Sequence, residues 1–313
     1  MVSAIFSKIA QATSASSLLV DMVPSNPAPA EDVTITLNSY ASNLDSVLIT
    51  WYIDGKNSAS GIGKKTFSLQ AGAAGTEHIV KVVVSLPDGD ISNSMTVRPS
   101  VMVLLWQAND SYVPPFYEGK AMPSAESDVK VVAIPEIKSG SSIVNPQNMT
   151  YVWQKDYNND VNDSGYGKNF MIYTNDYLDN SNNISVTAST VDQKYSSNAS
   201  VDIAVATPKI LFYKNDANVG TTWENDIPDT QQIQNSETIQ AVPYFLSPKQ
   251  IQNPMLVWNW SINDSAVSVP NYMPNFMPLQ VETGVSGTST VKLEISNQSK
   301  IFETASKEIN INF

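Results

Sequence analysis

Asp156, Asn158 and Asp160, in the run KDYNNDVNDSGYG, stand at alternate positions. That is the 1-3-5 spacing at which a calcium loop offers oxygen ligands, and Asn162 and Asp163 follow close by. The run then departs from an EF-hand: Val161 occupies the sixth position, where that loop needs Gly, and Gly167 the twelfth, where it needs an acid. A loop of different geometry could still gather these oxygens, so the three residues stand as a candidate Ca2+ site, and no other cofactor is expected. Gly61-x-Gly63-Lys64 suggests a phosphate loop only in its composition, since it has neither the P-loop spacing nor a following helix. It reads as a turn. The single histidine, His78, allows a Ser-His-Asp triad in one place only and a two-His metal site nowhere. With no cysteine there is no thiolate nucleophile, thiolate metal site or disulfide. The acids are scattered rather than paired, as a glycosidase would need them. No catalytic residue is assigned, and an enzyme is not expected.

Contact chemistry is better represented. Trp106 and Phe116, in LLWQANDSYVPPFYEGK, align without a gap with Tyr213 and Trp223, in LFYKNDANVGTTWENDIPD, at an offset of 107. Packing needs recur in every copy of a repeat, which favours packing between domains. If strands alternate in direction, the segment carrying Phe116 and Tyr117 covers the junction with the following domain. Trp223 is then left at a free end, and Phe116, Tyr117 and Trp223 are the candidate partner contacts, with a glycan or peptide as the alternative ligand. The stiff apolar strip SVPNYMPNFMPLQV (268–281) could be a buried edge or an exposed patch. A net charge of −12, with 30 acidic against 18 basic residues, repels phosphate backbones, so nucleic acid is not expected. No apolar run reaches the roughly 20 residues that span a bilayer.

The elements that must hold these residues are strands. Val33-Thr-Ile35-Thr-Leu37 alternates strictly, as do Ile184 to Ala188 and Val291 to Ile295, and no long segment has a helical period. Such strands bury one face and wet the other. Their order repeats: LITWYIDGK, TYVWQKDYN and MLVWNWSIND each carry a Trp (Trp51, Trp153, and Trp258 or its neighbour Trp260) and end at turn-forming Asp or Asn. Two alternating strands close each repeat. The expected division is 1–17 as a flexible N-terminal segment or signal-peptide remnant, then 18–100, 101–207 and 208–313 as domains. Each has the length of a sandwich with seven or so strands, and the short links suggest an elongated, semi-rigid arrangement. A Trp in the third strand is where an immunoglobulin-like sandwich buries an indole, so Trp51 reads as core rather than as the wall of a ligand site.

Trp-x-x-Asp-Gly followed by a Gly-containing turn and two alternating strands resembles the immunoglobulin-like or PKD-like repeats of bacterial surface proteins. MVPSNPAPAEDVTITLNSY (22–40), SYVPPFYEGKAMP (111–123) and ILFYKND (210–216) are similar to a group of predicted secreted proteins of candidate-phylum bacteria. Trp153 followed by Gln-Lys-Asp and Trp258 followed by Asn-Trp-Ser depart from the PKD pattern. The resemblance implies a secreted or cell-surface, non-enzymatic, structural or adhesion protein. Its partners would be other surface proteins or further copies of itself, and residues 1–17 could serve as a tether.

Overall fold

The computed structural model describes residues 18–139, 142–247 and 253–313. The expectations placed on residues 1–17 lie outside the described residues. The chain is built from strands in three successive sets. The first holds β1 (Leu18–Val23), β2 (Asp32–Ser39), β3 (Leu48–Ile53), β4 (Lys56–Ile62), β5 (Thr66–Gln70), β6 (His78–Leu86) and β7 (Gly89–Val97). The second holds β8 (Val101–Ala108), β9 (Asp128–Glu136), β10 (Lys138–Ser139), β11 (Ser142–Ile143), β12 (Met149–Lys155), β13 (Asn158–Tyr166), β14 (Phe170–Thr174), β15 (Ser181–Thr190) and β16 (Ser196–Ala204). The third holds β17 (Lys209–Asp216), β18 (Gly220–Asp226), β19 (Thr230–Gln232), β20 (Ser236–Tyr244), β21 (Leu256–Ile262), β22 (Ser265–Val267), β23 (Phe276–Gln280), β24 (Thr288–Asn297) and β25 (Thr304–Asn312).

Each set folds as two facing sheets with the same strand order. One sheet runs β1-β2-β5, β8-β9-β14 and β17-β20-β23; the other runs β4-β3-β6-β7, β13-β12-β15-β16 and β22-β21-β24-β25. The second set adds a small separate sheet, β10-β11, and the third adds β18 beside β17 and β19 parallel to β25. The alternating residues fill three separate cores, one per set, around Trp51, Trp153 and Trp260. These are three tandem immunoglobulin-like β-sandwiches.

The recurring Trp is core in all three sandwiches. Each indole Nε1 donates to a backbone carbonyl: Trp51 to Lys64 O at 2.9 Å, Trp153 to Lys168 O at 2.9 Å and Trp260 to Pro274 O at 2.8 Å. This explains the repeated Ser-Gly-x-Gly-Lys. Gly63 and Gly167 adopt φ of +67° and +72°, a left-handed turn that aims the next carbonyl at the ring. A side chain at Gly63 would also meet Asp45 O at 2.9 Å. In the third sandwich the carbonyl comes from the proline-rich strip, whose two halves differ. Tyr272 and Met273 are exposed, whereas Met277 lies in the core.

Three residues after each Trp, a turn residue clasps the neighbouring strand. Asp54, Asp156 and Asn263 all have φ near +50° (49°, 50° and 49°). Their N–H groups donate to the carbonyls of Ile79, Asn183 and Thr290, and their side-chain Oδ1 atoms accept from the N–H groups of the same three residues. This shared position identifies Trp260 as the counterpart of Trp51 and Trp153. Trp258 is half-buried and packs on the outside of the same core.

Tyr151 is fully buried next to the second indole and donates to Pro146 O at 2.8 Å. Burial pushes its hydroxyl up to about 12 from the usual 10.0. A raised folded pKa contributes stability that is complete below the unfolded value and disappears as pH rises through the folded one. Thermal melts should therefore hold level to about pH 9.5 and fall between about pH 10 and 12. Tyrosinate absorbance from this residue should appear only as the second sandwich unfolds.

Candidate functional site

The candidate contact residues lie where sandwiches meet and on their outer faces. The link between β17 and β20 and the link between β8 and β9 (residues 109–127) both reach the second junction. There Tyr213, Val242, Tyr244 and Phe245 of the third sandwich form a buried cluster, against which Tyr112, Val113 and Met122 of the second pack. Tyr112 N–H donates to Leu246 O at 2.6 Å, and Phe245 N–H donates to Tyr112 O at 2.7 Å. The hydroxyls of Tyr213 and Tyr244 are 2.5 Å apart. Burial, then the Tyr213 contact, raises the Tyr244 hydroxyl well above the ordinary tyrosine range. Around this apolar seal are polar ties. Asp110 accepts from Ser247 Oγ, and Lys300 Nζ donates to Glu126 O at 2.9 Å. Buried Glu303 accepts from Ser247 N–H at 3.0 Å and from Asn297 Nδ2 at 2.6 Å. Tyr177 stacks on Phe302 with centroids 4.5 Å apart.

The three candidate contact residues separate here. Tyr117 meets Tyr244 and Phe245 edge-on at 5.6 and 6.2 Å. Trp223, on β18, is half-buried against Tyr213 at 5.4 Å and belongs to the junction cluster rather than to a free end. Phe116 is 85% exposed at a φ of +65°. The 107-residue alignment of Trp106 with Tyr213 is off by one. Leu104 pairs with Ala133 and Phe212 pairs with Ala241 as core-facing partners, so in these strands the offset is 108. A slip of one residue exchanges the faces of a strand. Trp106 accordingly packs on its own core under Lys120 Nζ, while Tyr213 points out into the junction.

The first junction is chemically different. Arg98, the only arginine in the chain, forms a two-pronged pair with Glu77 at 3.0 and 3.2 Å. It also donates to Lys194 O at 3.2 Å and lies 4.9 Å from the centre of the Tyr195 ring. Ser100 Oγ donates to Ser196 O, and Ser196 Oγ donates to Asn26 Oδ1. A small cavity of about 130 Å³ remains between Glu77, Arg98, Lys138 and Tyr195. A solitary arginine beside a domain boundary was the signal for this junction in the sequence. The signal for the second junction was the aromatic segment carrying Phe116 and Tyr117, and Tyr117 packs there.

The calcium candidates occupy one hairpin. Asp156 sits in the turn and spends Oδ1 on the Asn183 clasp, while Asn158 Nδ2 donates to Asp156 O. Asp160 Oδ1 accepts from the backbone N–H groups of Asn162 and Asp163. Among the described residues no three acidic or histidine side chains converge as a metal-binding set. His78 Nδ1 lies 2.8 Å from Asp54 Oδ2. That contact, with the Ile79 N–H, holds the Asp54 carboxyl below its ordinary range. The histidine thus braces the first clasp. An open groove of about 950 Å³ on the third sandwich is bordered by Trp258, Tyr272 and Asn275.

No family model matches the sequence, and no curated protein matches it. Among solved structures, the fibronectin(III)-like modules of Clostridium thermocellum CbhA are 16% identical, over 60% of this chain and 94% of that one, with a TM-score of 0.27. Three N-terminal domains of the bacteriophage RB49 highly immunogenic outer capsid protein are 11% identical over 95% and 98%, at 0.25. The central fibronectin-III array of RIM-binding protein is 12% identical over 91% and 92%, at 0.33. The fold assignment rests on the strand pairing described above. No helix among the described residues is long and apolar enough to cross a membrane.

Proposed function

We propose that this chain is a non-enzymatic structural or adhesion module of a bacterial surface, acting outside the cell as a spacer within an assembly. Its units on this reading are 18–100, 101–207 and 208–313. The observation that supports it is the second junction, where four buried aromatic and aliphatic side chains and two backbone hydrogen bonds bind consecutive sandwiches into one stiff piece. A chain whose largest side chains serve cores and junctions holds a distance, and what it presents at a distance is its surface. The sequence resemblance to surface repeats and the absence of thiols agree with a core-stabilised extracellular module. Surface labelling of intact native cells by a membrane-impermeant reagent should mark the protein. Recovery only in the cytosolic fraction overturns the proposal. In solution, small-angle scattering should give a maximum dimension of about 100 Å, three sandwiches end to end with strands of about 30 Å each.

A further inference from the structure

The outer face of the sheet β8-β9-β14 in the second sandwich is apolar, and none of the described residues covers it. Val103, Leu105, Ile134, Phe170 and Ile172 point away from the core and are each 39–54% exposed. Strand pairing makes them contiguous: Val103 lies opposite Ile134, and Leu105 and Phe170 flank Val132. The equivalent positions in the third sandwich, at the 108-residue offset, give this face meaning. Val103, Leu105 and Ile134 correspond to Leu211, Tyr213 and Val242, all in the junction cluster and covered by residues 109–127 of the preceding sandwich. The first sandwich cannot cover the second in this way, because its corresponding link runs only from 24 to 31. The same surface is therefore sealed in one unit and open in the next.

We propose that this face binds the same face of a second copy of the chain. Two features choose that occupant. Lys130 and Glu136 lie on the same side of β9, six residues or about 20 Å apart, with the apolar patch between them. Neither makes an ion pair among the described residues, and Lys130 rests 4.7 Å from the Phe170 ring. A two-fold axis between the facing sheets, perpendicular to the strands, reverses the strand direction. It sets Lys130 of each copy opposite Glu136 of the other, so the face is complementary to itself in charge as well as apolar. The patch offers on the order of 400 Å² per copy, short of the roughly 800 Å² per partner of a standard interface, so the association is weak and reversible. It does not depend on where the protein acts.

Light scattering or sedimentation on the full chain, at low salt and over a wide concentration range, tests this. The mass should rise from 34.1 kDa toward twice that value, with a Kd of about 10–100 µM. Leu105→Glu should weaken association at least about tenfold while leaving circular dichroism and melting unchanged. Lys130→Glu and Glu136→Lys should each weaken it, and the double exchange should restore it. A chain that stays monomeric throughout overturns the proposal. So does Leu105→Glu associating like the parent, or a double exchange no better than the single ones. Association that disappears when residues 1–17 are removed but ignores Leu105→Glu overturns it too.

Discussion

Trp153→Ala lowers the stability of the second sandwich by about 4 kcal/mol, within the range of roughly 3–5 for deleting a buried aromatic. The indole is fully buried in the core, and its Nε1 is the donor to Lys168 O. Removing it leaves both a large void and a carbonyl without that partner. At roughly 2–4 °C per kcal/mol for two coupled sandwiches, the melting transition they share should fall by about 12 °C. Scanning calorimetry of the full chain reads it directly. The paired variants Trp260→Ala and Trp258→Ala separate two neighbouring tryptophans. The first should behave like Trp153→Ala, and the second should cost less than half as much, because Trp258 packs only on the outside of the core. Equal losses would contradict the assignment of Trp260 as the core indole.

That assignment shows how far the sequence could be read. All-β character follows from alternation, since period-two patterning is local, and the threefold repeat follows from the recurrence of Trp-bearing runs with two closing strands after each. The choice between Trp258 and Trp260 was also legible in principle. Asp54, Asp156 and Asn263 each stand three residues after their Trp, and only Trp260 satisfies the spacing. The alignment of Trp106 with Tyr213 failed for a different reason. The two strands share their inward pattern at offset 108, yet two aromatics coincide at 107, and side-chain type outweighed face. Of the three oxygens at alternate positions, Asp156 and Asp160 accept backbone N–H groups at the turn and bulge of the hairpin, a use that 1-3-5 spacing does not distinguish from a ligand set. The junctions were legible in outline only. The segment carrying Phe116 and Tyr117 pointed to the second and a lone arginine to the first, but the partners they meet, Phe245 for Tyr112 and Tyr195 for Arg98, are set by tertiary placement.

The contrast between those junctions carries the second large effect. Tyr244→Ala should cost about 2–4 kcal/mol, because the ring is buried, is edge-packed by Tyr117 and Phe245, and shares a hydrogen bond with Tyr213. The loss falls on the contact between sandwiches as well as on the third one, since Tyr112, Val113 and Met122 pack on the same cluster. In the parent chain the second and third sandwiches should unfold together, as one calorimetric transition distinct from that of the first. The Tyr244→Ala chain should show them as two. Arg98→Ala removes an exposed ion pair and a cation–π contact from the first junction, where such contacts contribute about 1 kcal/mol or less. It should lower no melting transition by more than about 4–8 °C, while making the segment from Val97 to Val101 more readily cleaved by protease. If the parent chain already shows the second and third sandwiches as separate transitions, the junction cluster does not couple them, and the stiff two-sandwich piece from which the spacer role is argued does not exist.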